Sequence, residues 1–570
     1  MRWMVEKDLV VPMRDGVELV ADVHLPDGRG PFPALLQRVP YNRESWRIVN
    51  FALDIGRAQR AGYAVVVQDA RGRFGSGGTF TPFLDEQADG EDTIAWVASQ
   101  PWCDGRVGMV GGSYAGLAQW AAARARPPAL RAIAPFVATD DWFDGWIYQN
   151  GVFELGFNLL WSLRNIASVE AARRSPSSFG SVLAANDHIA ELYDRLPLGD
   201  IPELTEFAPF YREWLQEATP GGRWGGGPIA ADTTTPALTI GGWYDVFQRG
   251  TLGSFARLNG TPRRLIMGPW AHGVYGGVYA ERSFGVGSDA DVEDITRAQL
   301  RWFDRWVKGE DNGVERDAPL QLFVMGADYW RGEDAWPPSD AVETVLFLHS
   351  EGSANSAAGD GTLSRDAPRD ELVDTYTYDP RSPVPTVGGA TFLQGLQIAA
   401  NAGPRDQRVV EMRSDVLCYT SEALDAPVEV VGPVSAVLFV SSDAPDTDFV
   451  VTVTDVSPDG HSRIVTSGVV RARYRDSRSS PALLVQGRIY ELAVDLGGTA
   501  HVFRPGHRIR VHVTSGSFPR FEPNPQTGAL GAESADVQAA TSRLHHDALH
   551  PSSLVLRVVE RSETTERLAG

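Results

Sequence analysis

One stretch constrains the fold of this 570-residue chain more than any other: Val107-Gly-Met-Val-Gly-Gly-Ser-Tyr-Ala-Gly116, where an apolar run ends in glycines, a serine and a helix start. It calls for a strand, a turn too sharp for bulky neighbours, and a helix immediately after. A serine at such a turn projects its hydroxyl above the sheet edge, and the next N–H faces whatever that hydroxyl attacks. The flanking residues are small, with one irregularity. The residue two after Ser113 is Ala115, and the glycine comes third, at Gly116. In a chain with 58 glycines an isolated Gly-x-Ser carries little weight, so the surroundings decide.

Those surroundings predict a parallel sheet. Val17 to Leu25 and Ala34 to Arg38 read as early strands, and Tyr63-Ala-Val-Val-Val-Gln-Asp69 as a strand buried on both faces. Ile94, Val97 and Ala98 give a helix its inner face, closed by Pro101. Val107 to Val110 is the next strand, helix 113–126 follows, and Ala129 to Val137 is one more strand. Helices between successive strands are what parallel crossovers require. From Asp140 to about Gly227 the chain turns helical and aromatic-rich, an inserted cap that leaves through a flexible exit, Gly221-Gly-Arg-Trp-Gly-Gly-Gly227. Strands resume at Pro236–Gly241 and Arg264–Gly268, and a helix with Ile295, Ala298, Trp302, Phe303 and Trp306 inward ends at Gly309.

Beyond residue 345 no further helix of length is expected. Residues 350–362 read as a low-complexity surface loop. Period-two strands then recur, as in Arg508-Ile-Arg-Val-His-Val-Thr514, and Ser457-Pro-Asp-Gly460 marks a hairpin turn. The expected division is therefore 1–140 and 229–344 for the two parts of an α/β domain, 141–228 for the helical cap, and 345–570 for an all-β jelly roll.

Composition removes several classes of function. The net charge of −21, with no Lys/Arg-rich tract, argues against nucleic-acid binding. Cys103 and Cys418, the two cysteines, give neither a disulfide framework nor a Cys-based zinc site. The metal motif His-Glu-x-x-His and the phosphate-binding Walker A loop are absent, so no metal or cofactor is expected. The N-terminal residues lack an apolar secretion core, and no apolar run approaches the ~18–20 residues of a membrane span. A soluble cytoplasmic protein follows, with a homodimer left open.

A serine nucleophile needs a base, an acid to orient it and an oxyanion hole. In the α/β-hydrolase fold they follow in the order Ser, Asp or Glu, His, at the ends of strands. Asp245 lies in Ile240-Gly-Gly-Trp-Tyr-Asp-Val-Phe247, just after one strand, and His272 in Met267-Gly-Pro-Trp-Ala-His-Gly273, just after the next. Of eleven histidines, His272 alone occupies a strand-end Gly/Pro/Trp loop at that point in the order.

Gly111-Gly-Ser-Tyr-Ala-Gly116, Gly242-Trp-Tyr-Asp245 and Gly268-Pro-Trp-Ala-His272 together resemble the three motif blocks of the cocaine esterase family. That group also holds X-prolyl dipeptidyl-peptidases, glutaryl acylases and α-amino acid ester hydrolases. The likeness extends to Gln68-Asp-Ala-Arg-Gly72, Trp102-Cys-Asp-Gly105 and Leu322-Phe-Val-Met-Gly326, and so to nearly the whole chain. It implies an α/β-hydrolase domain with a helical insertion and a C-terminal jelly roll. It also implies a Ser113–His272–Asp245 triad, with an oxyanion hole made by a tyrosine hydroxyl, here Tyr41 in Arg38-Val-Pro-Tyr-Asn42, and by the N–H of Tyr114. The Gly-x-Ser-Tyr-x-Gly spacing is the form this family uses.

The expected activity is cleavage of carboxylic esters through an acyl-enzyme. Amidase, X-prolyl dipeptidyl-peptidase or acylase activity is the alternative, and a catalytically inert binding protein a remote one. Val246, Phe247 and Gln248 follow Asp245 where amino-acid ester hydrolases carry acidic residues, which disfavours an ammonium-bearing substrate. Phe247 and the cap residues Trp146 and Trp161 suit an apolar or aromatic acyl group, with packing of the cap core as the equal alternative.

Overall fold

A computed structural model describes residues 4–393, 401–531 and 534–560. Its first sheet has ten strands. Before the cap come β1 (Met4–Pro12), β2 (Glu18–Leu25), β3 (Phe32–Val39), β4 (Ala64–Asp69), β5 (Cys103–Gly112) and β6 (Leu130–Phe136). A two-residue ribbon in the cap supplies β7 (Tyr148–Gln149) and β8 (Val152–Phe153). The sheet resumes with β9 (Ala237–Tyr244), β10 (Arg263–Ala271), β11 (Leu320–Val324) and β12 (Tyr329–Glu333). The order is β1-β2-β4-β3-β5-β6-β9-β10-β11-β12. Pairing is parallel from β4 through β11 and antiparallel at both edges.

The run Ala-Val-Val-Val in β4 is buried at every residue because both faces of the sheet are covered. Successive side chains enter opposite cores. Ala64 and Val66 join the one containing Trp120 and Trp146, while Val65 and Val67 join the one containing Trp302 and Phe303. The edge strand β1 is largely exposed, and charged Glu6-Lys-Asp8 interrupts its apolar residues, which hid it from sequence reading.

Between β6 and β9 the chain forms the helical cap, including helices Leu155–Trp161, Ser168–Arg174, Pro176–Asp187 and Phe210–Gln216. Cap aromatics and sheet-covering residues share one continuous core, so the cap is fused to the α/β domain. The expected flexible exit at 221–227 is instead packed. Trp224 is buried, its N–H donates to Glu217 Oε1 at 2.8 Å, and its carbonyl accepts from Trp142 Nε1 at 2.9 Å. A side chain on Gly226 would strike the Trp142 ring, so at that position glycine serves close packing.

Among the described residues from Ala341 onward, eleven paired strands form an all-β domain around its own core. The turn at Ser457–Gly460 joins strands Asp448–Val456 and Ser462–Arg471, as its sequence demands. The loop at 350–362 lies at the surface but is pinned. Asp374 Oδ1 accepts from Ser350 Oγ and from the Ala354 N–H, both at 2.9 Å, and Ala354 is buried. Among the described residues no helix is long and apolar enough to cross a membrane.

Candidate active site

Ser113 sits between β5 and the helix Tyr114–Arg124 with φ 57° and ψ −123°, backbone values that side-chain-bearing residues rarely adopt. The surrounding glycines make the turn possible. A Cβ on Gly111 would lie 2.7 Å from Ala115 Cβ, and one on Gly112 would lie 2.5 Å from the Phe51 ring. A Cβ on Gly116 would collide with Ala138 Cβ. This accounts for the shifted glycine. Ala115 is accommodated because Gly111 beneath it has no side chain, while the tight contact falls at Gly116. The Ser113 N–H donates to the Phe136 carbonyl at 2.9 Å and locks the turn to β6.

The structure brings Asp245 and His272 to the same sheet edge. The adjacent parallel strands β9 and β10 end side by side, and their register shifts between Gly268 and Ala271. Trp270 folds back over Gly268 and against Gly242, where Cβ atoms would clash, and its Nε1 donates to the Ser288 carbonyl at 2.7 Å. The loop is thereby fixed so that His272 Nε2 lies 3.1 Å from Ser113 Oγ and His272 Nδ1 lies 2.9 Å from Asp245 Oδ2. Asp245 is fully buried, whereas Ser113 and His272 each keep 8% exposure, so a ligand can reach the two groups at the open end of this chain of contacts. The second Asp245 oxygen accepts the Phe247 N–H at 2.8 Å.

Tyr41 follows β3 and faces Ser113, within hydrogen-bonding reach of its hydroxyl. Trp161 Nε1 donates to the Tyr41 hydroxyl at 2.9 Å, which leaves the phenol proton free to point elsewhere. Burial pushes the Tyr41 pKa up to about 12, against the opposing effects of Trp161, Ser113 and the cationic Arg73. Arg73 is itself fully buried. It donates to the carbonyls of Pro40 (3.0 Å) and Asn165 (2.7 Å) and to Glu170 (2.8 Å), tying the Tyr41 loop to the cap. Burial lowers its pKa to about 10, so it stays cationic at neutral pH.

Tyr114 opens its helix, so its N–H has no intrahelical acceptor. Its side chain serves the frame. The hydroxyl donates to Glu86 and accepts from the Phe83 N–H, both at 2.9 Å, and Glu86 also pairs with the buried Arg38.

Trp146, Trp161 and Phe247 are all buried and packed on one another beside these groups. Trp146 stacks on Phe247 at 4.8 Å between ring centroids and meets Trp161 edge-on at 5.3 Å. Phe247 meets the His272 ring edge-on at 5.3 Å. Sequence reading missed Phe392, which lies in a loop of the all-β domain, after its strand Asp374–Tyr378. Its ring meets His272 at 5.1 Å and Phe157 at 5.7 Å. Nothing local in Gly388-Gly-Ala-Thr-Phe392 signals this contact, which exists only once two domains meet.

Residues 15–274 match the X-Pro dipeptidyl-peptidase (S15) family, and residues 312–555 match the X-Pro dipeptidyl-peptidase C-terminal non-catalytic domain. Cocaine esterase of Rhodococcus sp. (strain MB1 Bresler) is 39% identical over 98% of this chain and 99% of that protein. Two solved structures cover 98% of this chain and 96% of their own at 25% identity. An aminopeptidase from a marine sediment Thaumarchaeota archaeon has a TM-score of 0.81, and an α-amino acid ester hydrolase has a TM-score of 0.79.

Proposed function

Since the chain belongs to the family of cocaine esterase and the S15 X-Pro dipeptidyl-peptidases and is a serine hydrolase, we propose that it cleaves carboxylic esters with apolar or aromatic acyl groups, using Ser113 as nucleophile, His272 as base and Asp245 as orienting acid. The observation that carries this reading is the unbroken series Ser113 Oγ–His272 Nε2–His272 Nδ1–Asp245 Oδ2, at 3.1 and 2.9 Å, assembled from three strand ends.

His272 takes the Ser113 proton as Oγ attacks the ester carbonyl. The buried Asp245 carboxylate can only accept, so it holds the proton on Nδ1 and leaves Nε2 as the base. The oxyanion that forms is held by the Tyr41 hydroxyl and the Tyr114 N–H, both aimed at the place where negative charge develops. His272 returns its proton to the departing alkoxide. It then activates a water that cleaves the acyl-enzyme, releasing the acid and restoring Ser113. Trp146, Trp161, Phe247 and Phe392 would wall the acyl group with apolar surface. The division into 1–140, 141–228, 229–344 and 345–570 belongs to the same proposal, as does a cytoplasmic location.

Cleavage of amide bonds is the second reading, favoured by the S15 family match and the aminopeptidase likeness. Turnover of p-nitrophenyl butyrate and benzoate compared with an Ala-Pro anilide separates the two, and an anilide rate above the ester rates overturns the first. Ser113→Ala should lower turnover by roughly 10⁴–10⁶. A fluorophosphonate probe should label Ser113 in the parent chain, and absence of an adduct there would defeat the assignment.

A further inference from the structure

A cleft of about 490 Å³ opens on the seam between the α/β domain and the jelly roll, away from Ser113. Tyr244 and Arg282 line it from one side, and Arg463, His501, Arg504 and His507 from the other. Its volume suits a small organic ligand, and seams between domains are where such ligands commonly bind.

The carboxylates around this cleft are already engaged. Asp455 accepts from His501 Nε2 at 3.1 Å and from His507 Nδ1 at 2.7 Å. Glu281 accepts from Arg405 at 2.6 Å and from the Asp406 N–H at 2.7 Å. Asp459 pairs with His461 at 3.0 Å, and Asp328 with Arg282.

Two guanidiniums remain. Arg463 has no ion pair among the described residues, and its buried Nε has no hydrogen-bond partner there. Arg504 donates Nε to the Gly326 carbonyl at 2.7 Å and has no carboxylate partner among the described residues. His501 is only 7% exposed, and its Nδ1 is likewise left without a partner among them. Polar atoms left without a protein partner in a solvent-filled cleft are free to take up water or a bound anion.

We propose that this cleft is a binding site for a small organic anion, whose carboxylate or phosphate group is gripped by Arg463 and Arg504. A guanidinium presents its N–H groups as a planar fork that matches the oxygens of either anion, with charge assisting each bond. A chain with a net charge of −21 repels extended polyanions, so the ligand is a small molecule. Any occupant would touch Tyr244, whose hydroxyl donates to the Ile464 carbonyl at 3.3 Å across the seam.

The test is calorimetric titration of the full chain with inorganic phosphate and, in a parallel arm, with succinate, both against sodium chloride of equal ionic strength. The expected result is saturable binding of at least one probe, weakened tenfold or more in Arg463→Gln and in Arg504→Gln and unchanged in Arg29→Gln, an exposed arginine elsewhere. The arm that binds more tightly identifies the anionic group. Both cleft variants should keep parental turnover of p-nitrophenyl butyrate, which shows that they are folded. Absence of saturable binding in both arms overturns the proposal, and so does binding that both variants retain.

Discussion

Tyr41→Phe removes one hydroxyl and isolates the proposed oxyanion donor from the rest of the site. The phenol accepts from Trp161 Nε1 at 2.9 Å, which directs its own proton away from the indole. With its pKa pushed up to about 12 by burial, it keeps that proton throughout the neutral range. One preorganised donor of this kind is worth ~10²–10³ in kcat, about 2.7–4 kcal/mol. The neutral carbonyl of the ground state gains much less from it, so KM should stay within about threefold. Phenylalanine also leaves Trp161 Nε1 without its acceptor, at about 1–3 kcal/mol of stability. The assay measures kcat and KM for p-nitrophenyl butyrate at neutral pH, normalised to the Ser113 sites that a fluorophosphonate probe titrates, so that unfolded chains are not counted. A titrated kcat within fivefold of the parent would refute the donor role. A loss confined to KM would instead assign Tyr41 to ground-state binding.

Gly116→Ala places a methyl group against Ala138 Cβ and should cost about 1–3 kcal/mol by overpacking. Both Tm and kcat should fall, and an unchanged Tm would show that the turn has slack the packing argument denies. In the jelly roll, burial lowers the His546 pKa, but Asp374 at 2.9 Å and Glu371 at 3.0 Å outweigh it and leave the pKa raised. A raised folded-state pKa contributes stability that is complete below the unfolded value of about 6.5 and is lost as pH rises through the folded value. The Tm of the parent should therefore decline from neutral to alkaline pH more than that of His546→Gln, and parallel curves would dismiss the imidazolium as the cause. Phe392→Ala should raise KM for a benzoate ester more than for an acetate ester, because only the larger acyl group fills the space the ring walls. Equal effects on both esters would place Phe392 outside the acyl pocket.

The parts of the architecture legible in the sequence were those fixed by local rules. The β4 run is apolar at consecutive positions because the strand is buried on both faces, and that can be read without a partner strand. The glycine-rich spacing around Ser113 announces a turn by itself. A side chain on Gly111 would collide with Ala115 four residues on, although the atoms that crowd Gly112 and Gly116, the Phe51 ring and Ala138, come from other parts of the chain. The loop at 350–362 and the exit at 221–227 were harder. Their small and polar residues suggest freedom, yet Asp374 and Trp142 hold them from far along the chain. Composition reports what a segment can do in isolation and says little about a single distant hydrogen bond.

The same distinction explains Phe392 and bears on what the jelly roll does. The edge of the His272 ring, the proposed base, is desolvated only if apolar groups cover it. Phe247 does this from within its own loop, two residues after Asp245, and was visible in the sequence for that reason. Phe392 covers the other flank from a segment 120 residues beyond His272, and that segment is held where the all-β domain docks. Gln248 donates to the Gly498 carbonyl, Arg249 pairs with Asp495, and Arg520 donates to cap residue Gln149 at 2.9 Å. These contacts tie the jelly roll to the helix after Asp245 and to the cap at once. Loosening the docking contacts should therefore expose the His272 ring before it disturbs the Ser113 turn, whose constraints all lie within the α/β domain.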